Sequence, residues 1–234
     1  MTAPLSIIIP TLNAAQQVTA LMQDLMAGVS EGLIAEVIIA DGGSTDAIQA
    51  IAQDTGAVFI NSPKGRGSQL RHGITKARAD WLLVLHADTQ LPPNWPLLVL
   101  DHIRTRPEYA AYFRLRFSSH HPMALVTATW ANLRSRVFGL PYGDQGLLVS
   151  RDLYDICGGY LEIPLMEDVE IARKLRGRLR ALPGHITTSA DRYQTRGWLR
   201  QGSRNIFALM RYLMGASPEA LAKRYNARFS SNCK

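Results

Sequence analysis

Residues 5–13 read LSIIIPTLN, an unbroken aliphatic run that ends abruptly in polar residues. Such a run is typical of a β-strand that is buried on both faces. Similar apolar runs occupy residues 36–40, 57–60 and 81–85, and stretches with helical spacing separate them. Strands and helices that alternate at this pace predict an α/β fold with a mostly parallel central sheet, flanked by helices and joined by right-handed crossovers.

Two polar residues are expected to begin helices in this first half. Asn13 can cap a helix that includes Val18, because its side chain can accept a hydrogen bond from a free backbone N–H. Ser44 can cap the helix that includes Ile48 in the same way. A third helix is predicted at 68–79, after a glycine-rich turn.

The second half of the chain is less regular but contains no linker or repeat. Strands are predicted at 109–117, 145–149 and 186–189, and helices at 94–105, 123–138, 167–176, 198–214 and 218–229. We therefore expect a catalytic-type α/β domain at 1–197, with a helical C-terminal extension at 198–234 packed on the same domain.

The net charge of +7 is confined to the end of the chain. Residues 1–194 carry 18 basic and 18 acidic side chains, whereas residues 195–234 carry eight basic ones against Glu219 alone. This distribution argues against a protein that coats nucleic acid, and the basic end offers no stacking platform, so no nucleic-acid partner is expected. A basic amphipathic helix at 198–214 either docks its apolar face on the domain or lies on an anionic membrane surface.

The cysteines and the apolar segments indicate where the protein resides. Cys157 and Cys233 cannot build a disulfide framework, and the first residues, MTAPLSIII, lack the basic start of a signal peptide. No segment approaches the roughly 18–20 apolar residues that cross a bilayer. We expect a cytoplasmic protein, either free or peripheral on the inner face of the membrane.

Polar residues follow three of the predicted strands, and ligands of parallel sheets sit beyond such strand ends. Asp41-Gly42 follows the second strand, where the carboxylate can bind a ribose or a base, or simply make a turn. His86-Ala87-Asp88 follows the fourth strand. Asp88, and His86 with it, is a candidate ligand for Mg²⁺ or Mn²⁺ between two phosphates, the alternative being a cap of the next segment.

Two further clusters have the composition of binding or catalytic residues. The segment 64–71 combines three cations with two glycines before a helix, which favours a diphosphate site over a solvated basic turn. Its spacing fits neither a P-loop nor a dinucleotide fingerprint. Glu167 and Asp168 open a helix, where they either stabilise the helix dipole or supply a general base. Arg196 and Trp198 offer a cation for a diphosphate and an aromatic ring for a sugar, or a cation–π contact.

Taken in order, these segments resemble family 2 glycosyltransferases of the GT-A fold. The strand 7–13, the turn 41–46, the strand that ends at Asp88 and the Glu167-Asp168 pair carry the likeness. The chain is also similar to a small bacterial subfamily of arsenosugar-biosynthesis-like glycosyltransferases. That likeness lies in the segments 65–70, 85–89, 143–146, 165–168 and 198–225.

The resemblance implies an inverting transfer of a sugar from a nucleoside-diphosphate donor, linked to UDP or GDP. It implies Mn²⁺ or Mg²⁺ as cofactor, held at Asp88, and a hydroxyl or carboxyl acceptor on a small molecule or a lipid. Asp168 would be the base, with Glu167 beside it. The donor-binding residues would be Pro10, Thr11, Asn13, Asp41, Gly42, Arg66, Arg71, His86, Ala87 and Asp88. Residues for the acceptor or a phosphate would be Asp144, Gln145, Arg196 and Trp198.

Three departures from the family pattern bear on this expectation. His86 replaces the first acid of the DxD motif, which weakens a second metal contact. Asp191-Arg192-Tyr193 stands where the subfamily usually has Arg-Arg-Trp. The segment 194–198 only loosely matches the QxxRW motif of processive members, and their membrane helices are absent from this sequence, so polymer synthesis is not expected.

Two other functions compete with this interpretation. One is a non-catalytic protein that binds a sugar nucleotide, against which the intact acids Asp41, Asp88 and Asp168 argue. The other is a sugar nucleotidyltransferase. Such enzymes usually carry a basic, glycine-rich loop directly after the first strand, and here no cation precedes Lys64.

Overall fold

A computed structural model describes residues 3–227, with side chains described as far as residue 224. The strands are β1 Leu5–Thr11, β2 Ile34–Asp41, β3 Val58–Asn61, β4 Trp81–Val84, β5 Ala110–Phe117, β6 Leu147–Ser150 and β7 Leu179–Thr188. The helices are α1 Ala15–Ser30, α2 Ile48–Thr55, α3 Arg66–Lys76, α4 Trp95–Thr105, α5 Pro122–Phe138, α6 Arg151–Ile156, α7 Glu167–Lys174, α8 Asp191–Arg196, α9 Trp198–Leu213 and α10 Pro218–Ala227. A short 3₁₀ turn spans Gly143–Gln145.

The strands form one mixed sheet in the order β3-β2-β1-β4-β6-β5-β7. β1 is central in the parallel half, with β2 on one side and β4 on the other. β6 runs antiparallel to both of its neighbours, and β7 returns parallel to β5. The prediction of a mostly parallel sheet flanked by helices is confirmed. The carboxyl ends of β1, β2 and β4 therefore meet at one edge of the sheet.

The aliphatic run of β1 is buried on both faces, as its sequence predicts. Ile7 and Ile9 pack in a core shared with α1, α4 and α5, whereas Ile8 points to the opposite face, into a core shared with α3, α6 and α7. Ile7, Ile8 and Ile9 are all fully buried. Because both faces are covered, the polar ends of these strands become the open part of the sheet.

Both predicted helix caps are wrong, and the reason bears on the site. α1 begins after Ala14 and α2 after Ala47, and neither capping residue contributes a side-chain hydrogen bond. Asn13 adopts a left-handed conformation with φ of 51°, and Ser44 turns toward Asp41. These two side chains join the strand ends to each other instead of starting helices.

Other differences from the sequence prediction lie in the second half. The strand predicted at 186–189 is the end of the longer β7, whose interior Pro183 hides it in the sequence. Proline is tolerated there because β7 is an edge strand, with β5 as its neighbour in the sheet. Helices α6 and α8 were not predicted, and the last two residues of the helix predicted at 218–229 lie outside the described residues.

The C-terminal helix α9 packs on the domain through an unexpected face. The residues that it buries are Trp198, Gln201 and Ala208. Phe207 and Met210 are 61% and 53% exposed, so the expectation that the apolar face of this helix docks is wrong. No described helix is long and apolar enough to cross a membrane.

Gly67 marks the closest approach between α3 and the segment 161–163. A Cβ atom at this position would lie inside van der Waals contact with the carbonyl of Leu161 and 3.0 Å from that of Ile163. We expect Gly67→Ala to lower the free energy of unfolding by about 1–3 kcal/mol, because backbone has to move.

Gly202→Ala is the matched control, since its Cβ would meet no atom within 4 Å. In the middle of a helix this exchange should stabilise the protein by up to about 1 kcal/mol. Urea unfolding of both variants checks the pair, and equal effects would contradict the close approach.

Candidate active site

The ends of β1 and β2 are joined by Asp41. Its side chain is 2% exposed and accepts hydrogen bonds from the Thr11 hydroxyl at 2.9 Å and the Ser44 hydroxyl at 2.5 Å. The backbone N–H groups of Gly43 and Ser44 also donate to it, at 2.9 and 2.7 Å. Burial would raise the pKa of Asp41, but these hydrogen bonds more than offset it and lower the pKa below the usual range. Asp41 is therefore an anion that fixes the shape of this loop.

Asn13 and Gln69 extend the same network. The backbone N–H of Asn13 donates to the Ser44 hydroxyl at 2.7 Å, and its side-chain oxygen accepts from the Thr45 N–H at 2.9 Å. The Gln69 amide donates to the carbonyls of Thr11 and Ala40 at 2.6 and 2.9 Å, which ties α3 to the strand ends. The candidate donor-binding residues Thr11, Asn13, Asp41 and Gly42 thus lie together, next to the half-buried Pro10.

The two arginines of α3 have different surroundings. Arg66 opens the helix with its side chain 40% exposed and lies 3.7 Å from a carboxylate oxygen of Glu167. Arg71 lies further along, where its guanidinium donates to the carbonyl of Tyr160 at 3.2 Å and lies 3.5 Å from Glu162. Arg66 faces the acidic residues of the site, whereas Arg71 holds the segment that follows α6.

His86, Ala87 and Asp88 follow β4 at the same sheet edge, all half-buried. Asp88 accepts a hydrogen bond from the Thr188 hydroxyl at 3.1 Å. The ring of His86 packs so closely on Gly143 that a Cβ there would lie 2.5 Å from Nε2. Burial lowers the pKa of His86 well below its usual value, and the charges of Arg66 and Arg192 lower it further. His86 is therefore neutral and does not replace the negative charge of the missing acid.

Asp144 lies in the 3₁₀ turn behind His86. Its Oδ1 atom is buried and has no hydrogen-bond partner among the described residues. Burial raises the pKa of Asp144 to about 6; Arg134 opposes this rise, and the negative charges of Asp168 and Asp88 add to it. An unpartnered buried carboxylate is costly unless a ligand completes it.

Gln145 was expected to contact the acceptor or a phosphate, and the structure places it elsewhere. It is fully buried, and its amide nitrogen donates to the carbonyl of Phe113 at 3.1 Å. Its amide oxygen accepts from the Ser135 hydroxyl at 2.6 Å. With both ends of the amide engaged in the core, Gln145 holds the turn in place and does not reach a ligand.

Glu167 and Asp168 open α7 but differ sharply in environment. Asp168 is half-buried, and its two oxygens accept from the N–H of Gly143 at 2.9 Å and of Val169 at 2.7 Å. Glu167 is 2% exposed. Burial and then the charge of Asp168 raise the pKa of Glu167 to about 7, against the opposing charge of Arg66. Met166 precedes the pair in a left-handed conformation with φ of 71°, a strained arrangement that sets the angle at which α7 presents both acids.

A divalent cation fits this acidic cluster. The negative charges of Asp88 and Asp168 act on Asp144, and the unpartnered Oδ1 of Asp144 is a hard oxygen donor of the kind that Mg²⁺ and Mn²⁺ prefer. No group of three His, Cys, Asp or Glu side chains in the described chain is arranged to hold a metal ion. A cation here would therefore take its remaining ligands from water or from the phosphates of a bound nucleotide.

The buried position of Glu167 predicts a specific pH dependence of stability. Because its pKa is raised from 4.5 to about 7 in the folded state, the wild type loses stability as pH rises through this window. Glu167→Gln removes the ionisable group. The variant should gain about 3 kcal/mol of unfolding free energy relative to wild type between pH 4.5 and pH 8.

Denaturant unfolding at several pH values measures this difference. Glu162→Gln is the control, since its carboxylate is 48% exposed and solvent screens its charge. Parallel profiles of unfolding free energy against pH for the wild type and Glu167→Gln would show that the pKa of Glu167 is not raised in the folded protein.

The remaining predicted residues lie in and beside α8 and α9. Trp198 is 7% exposed and packs against Phe117, Tyr193 and the stacked ring of His121. It anchors α9 and is not presented to a sugar. Arg196 donates to the side-chain oxygen of Gln201 at 3.3 Å.

The sequence analysis missed two residues of this site. Thr188 holds Asp88, and Arg192 lies close enough to His86 to lower its pKa. Arg192 stands in one of the three segments that depart from the family pattern, which was the available signal. The hydroxyl of Thr188 carried no signal, because its partner is 100 residues away along the chain.

Sequence comparisons find a family and relatives that match part of the chain. The family model described as glycosyl transferase family 2 matches residues 6–156. Glycosyltransferase AglJ of Haloferax volcanii is 28% identical over 158 residues, which are 66% of this chain and 48% of that protein. The succinoglycan biosynthesis protein ExoA of Rhizobium meliloti is 32% identical over 108 residues, 42% of this chain and 32% of that protein. The chain thus spans about half or less of these curated relatives.

Solved structures share the fold at low sequence identity. Glucosyl-3-phosphoglycerate synthase from Mycobacterium tuberculosis, in complex with Mn²⁺, UDP and glucosyl-3-phosphoglycerate, matches with a TM-score of 0.56 and 17% identity over 80% of this chain and 70% of that one. Residues 1–349 of S. aureus TarS, in complex with UDP-GlcNAc, match with a TM-score of 0.63 and 15% identity over 80% and 58% of the two chains. These likenesses confirm the predicted GT-A fold.

Proposed function

The chain belongs to glycosyl transferase family 2, and we propose that it moves a sugar from a nucleoside-diphosphate donor to a hydroxyl or carboxyl acceptor, with inversion at the anomeric carbon. One observation carries the proposal. Asp168, a half-buried carboxylate fixed by two backbone N–H groups, lies among Asp88, Asp144 and Arg66 at the ligand-binding edge of the sheet. This arrangement suits a base beside a site for a diphosphate.

The nucleoside end of the donor is proposed to lie at the loop built by Thr11, Asn13 and Asp41. The loop is preformed, because the hydrogen bonds of Asp41 fix its backbone without a ligand. Two of the structures with this fold were solved with UDP or a UDP-sugar, which supports UDP over GDP as the nucleotide of the donor. Arg66, 40% exposed at the start of α3, would face the diphosphate.

Asp88 is proposed to hold a Mn²⁺ or Mg²⁺ ion, with Asp144 completing the acidic surroundings. When bound, this ion would supply positive charge opposite the leaving diphosphate. The Thr188 hydroxyl orients the Asp88 carboxylate at 3.1 Å. Neutral His86 avoids repelling a cation, and its packing on Gly143 keeps the 3₁₀ turn against the strand end.

Asp168 is proposed to act as the general base. Its carboxylate would take the proton from the acceptor as the acceptor oxygen bonds to the anomeric carbon of the sugar. The bond from that carbon to the diphosphate oxygen breaks on the opposite face, and the diphosphate leaves with the electron pair. Asp168 suits this role better than Glu167, because Asp168 is half-buried, whereas Glu167 is 2% exposed and lies 3.7 Å from Arg66.

We propose that the acceptor is either a small molecule or a lipid. We also propose that the chain is a member of the arsenosugar-biosynthesis-like subfamily. The segments 65–70, 143–146 and 165–168 support it, since they surround the acidic cluster. We also propose that the protein is cytoplasmic, either free or peripheral on the inner face of the membrane.

Thermal unfolding with a panel of UDP- and GDP-sugars, with and without Mn²⁺, tests the proposal. A donor at 100 times its Kd should add about 2.7 kcal/mol of stability. Turnover of that donor separates an enzyme from a non-catalytic binder of sugar nucleotides. A protein stabilised by no nucleotide sugar in the presence of metal would contradict the proposed function.

A further inference from the structure

Helix α5 exposes a stripe of large apolar side chains. Val126, Trp130, Leu133 and Val137 recur at the spacing of one helical face and are between 44% and 61% exposed. The opposite face of α5 packs on β5 and is buried at Ala124, Ala128 and Ala131. The apolar stripe therefore points away from the core.

Helix α9 repeats this arrangement. Its exposed apolar residues are Ile206, Phe207, Met210 and Leu213, between 40% and 61% exposed, followed by Met214 at 74%. A surface helix normally buries such a face. α9 instead buries its other side, and the apolar stripe stays exposed, with the Arg211 guanidinium 5.9 Å from the centroid of the Phe207 ring.

The two helices that carry these stripes are neighbours. α5 and α9 are in contact, and at their starts the ring of His121 stacks on Trp198 with centroids 5.7 Å apart. Just beyond the end of α5, Leu140 packs in one cluster with Ala208 of α9. We call the exposed residues of the two helices the α5–α9 surface, defined by Val126, Trp130, Leu133, Val137, Ile206, Phe207, Met210 and Leu213.

The charged residues on the two helices of the α5–α9 surface are all basic. Neither helix contains an Asp or a Glu. Arg200, Arg204 and Arg211 recur along one side of the apolar stripe of α9, and Arg136 is exposed beside the stripe of α5. Apolar and aromatic side chains bordered by arginines match the chemistry of an anionic lipid surface, in which rings and chains enter the headgroup region and cations meet phosphates.

We propose that the α5–α9 surface lies on an anionic membrane and attaches the protein peripherally. On its packed side, α9 is tied to the helix that carries the candidate base, because the Tyr212 hydroxyl donates to Glu170 of α7 at 2.7 Å. A helix that is bound to α7 would then lie on the bilayer, which favours a lipid over a small molecule as acceptor. That last link rests on the proposed function, whereas the surface itself rests on exposure and charge.

Co-sedimentation of the full chain with vesicles tests the surface. The wild type should sediment with vesicles of phosphatidylcholine and phosphatidylglycerol at low salt, and far less with phosphatidylcholine alone. Phe207→Ser with Met210→Ser should weaken binding roughly tenfold or more, since two apolar side chains no longer enter the lipid. Arg200→Gln with Arg211→Gln should weaken it about fivefold per arginine.

The matched control is Met26→Ser with Leu97→Ser, which removes side chains that are 58% and 60% exposed on α1 and α4. This control should bind vesicles like the wild type. Failure of the wild type to bind at low salt, or equal loss in the control, overturns the proposal. So does a stable dimer that the Phe207→Ser, Met210→Ser exchange converts to a monomer, because a second copy would then cover the surface. Binding of UDP, measured without vesicles, reports on the proposed function separately.

Discussion

Asp168→Asn should lower the turnover number by roughly 10²–10⁴, the usual contribution of a general base. The carboxylate that would accept the proton is held by the N–H groups of Gly143 and Val169; asparagine keeps the shape but lacks the basicity and can accept from only one of these groups. Donor binding should change little, because Asp168 is proposed to act on the acceptor. Steady-state kinetics together with the Kd for UDP separate the two effects.

Glu170→Gln is the matched control for this exchange. It removes an acid two residues away on α7, whose carboxylate accepts from Tyr212 and lies near Arg173. We expect its turnover to stay within a few-fold of the wild type. An Asp168→Asn enzyme with near wild-type turnover would remove Asp168 from the base role, and a greater loss in Glu170→Gln would move that role elsewhere.

Asp88→Asn should lower turnover by roughly 10²–10³, as expected when charge stabilisation of a leaving group is lost. The same exchange should abolish the increase in UDP affinity that Mn²⁺ produces. The exchange removes the negative charge at the end of β4, and neutral His86 cannot replace it. Titration of UDP with and without Mn²⁺ measures this effect without turnover.

Thr188→Val is the control for Asp88. It removes only the hydroxyl that donates to the Asp88 carboxylate at 3.1 Å, so the negative charge stays. A loss of about 0.5–1.5 kcal/mol in Mn²⁺-dependent UDP binding is expected, the contribution of one hydrogen bond. If UDP binding to Asp88→Asn still responds to Mn²⁺ as in the wild type, Asp88 is not the metal ligand.

The sequence predicts correctly those strands and helices whose hydrophobic pattern reflects which of their faces are buried. The run at Ile7–Ile9 is aliphatic without interruption because both of its faces are covered, and its polar continuation lies at the site for the same reason. Asp41, Asp88, Glu167 and Asp168 were found in this way, since each ends or follows a strand or opens a helix, whereas Asp144 was named only through the family resemblance. Asp41 shows the limit of that reasoning, because its four hydrogen bonds make it both a turn residue and a candidate ligand contact.

The features that the sequence did not predict depend on contacts between distant segments. Helical spacing shows which residues of α9 share a face, but not which face meets the domain, and here the apolar one does not. Gln145 and Trp198 have the composition of ligand contacts, yet their environments are set by Phe113, Ser135 and the rings around α9. The close packing of Gly143 on His86 and the buried Oδ1 atom of Asp144 are likewise features that no spacing in the sequence indicates.

Donor hydrolysis with water as the acceptor tests the central claim most directly. The donor that stabilises the protein is incubated with the wild type and Mn²⁺, and UDP and the anomer of the released sugar are followed by NMR. We expect UDP to be released with the sugar appearing first as the anomer opposite to that of the donor, and both chelation of the metal and Asp168→Asn to slow this release at least tenfold. Release of the sugar with retained configuration, or release that is unchanged in Asp168→Asn, would contradict the account.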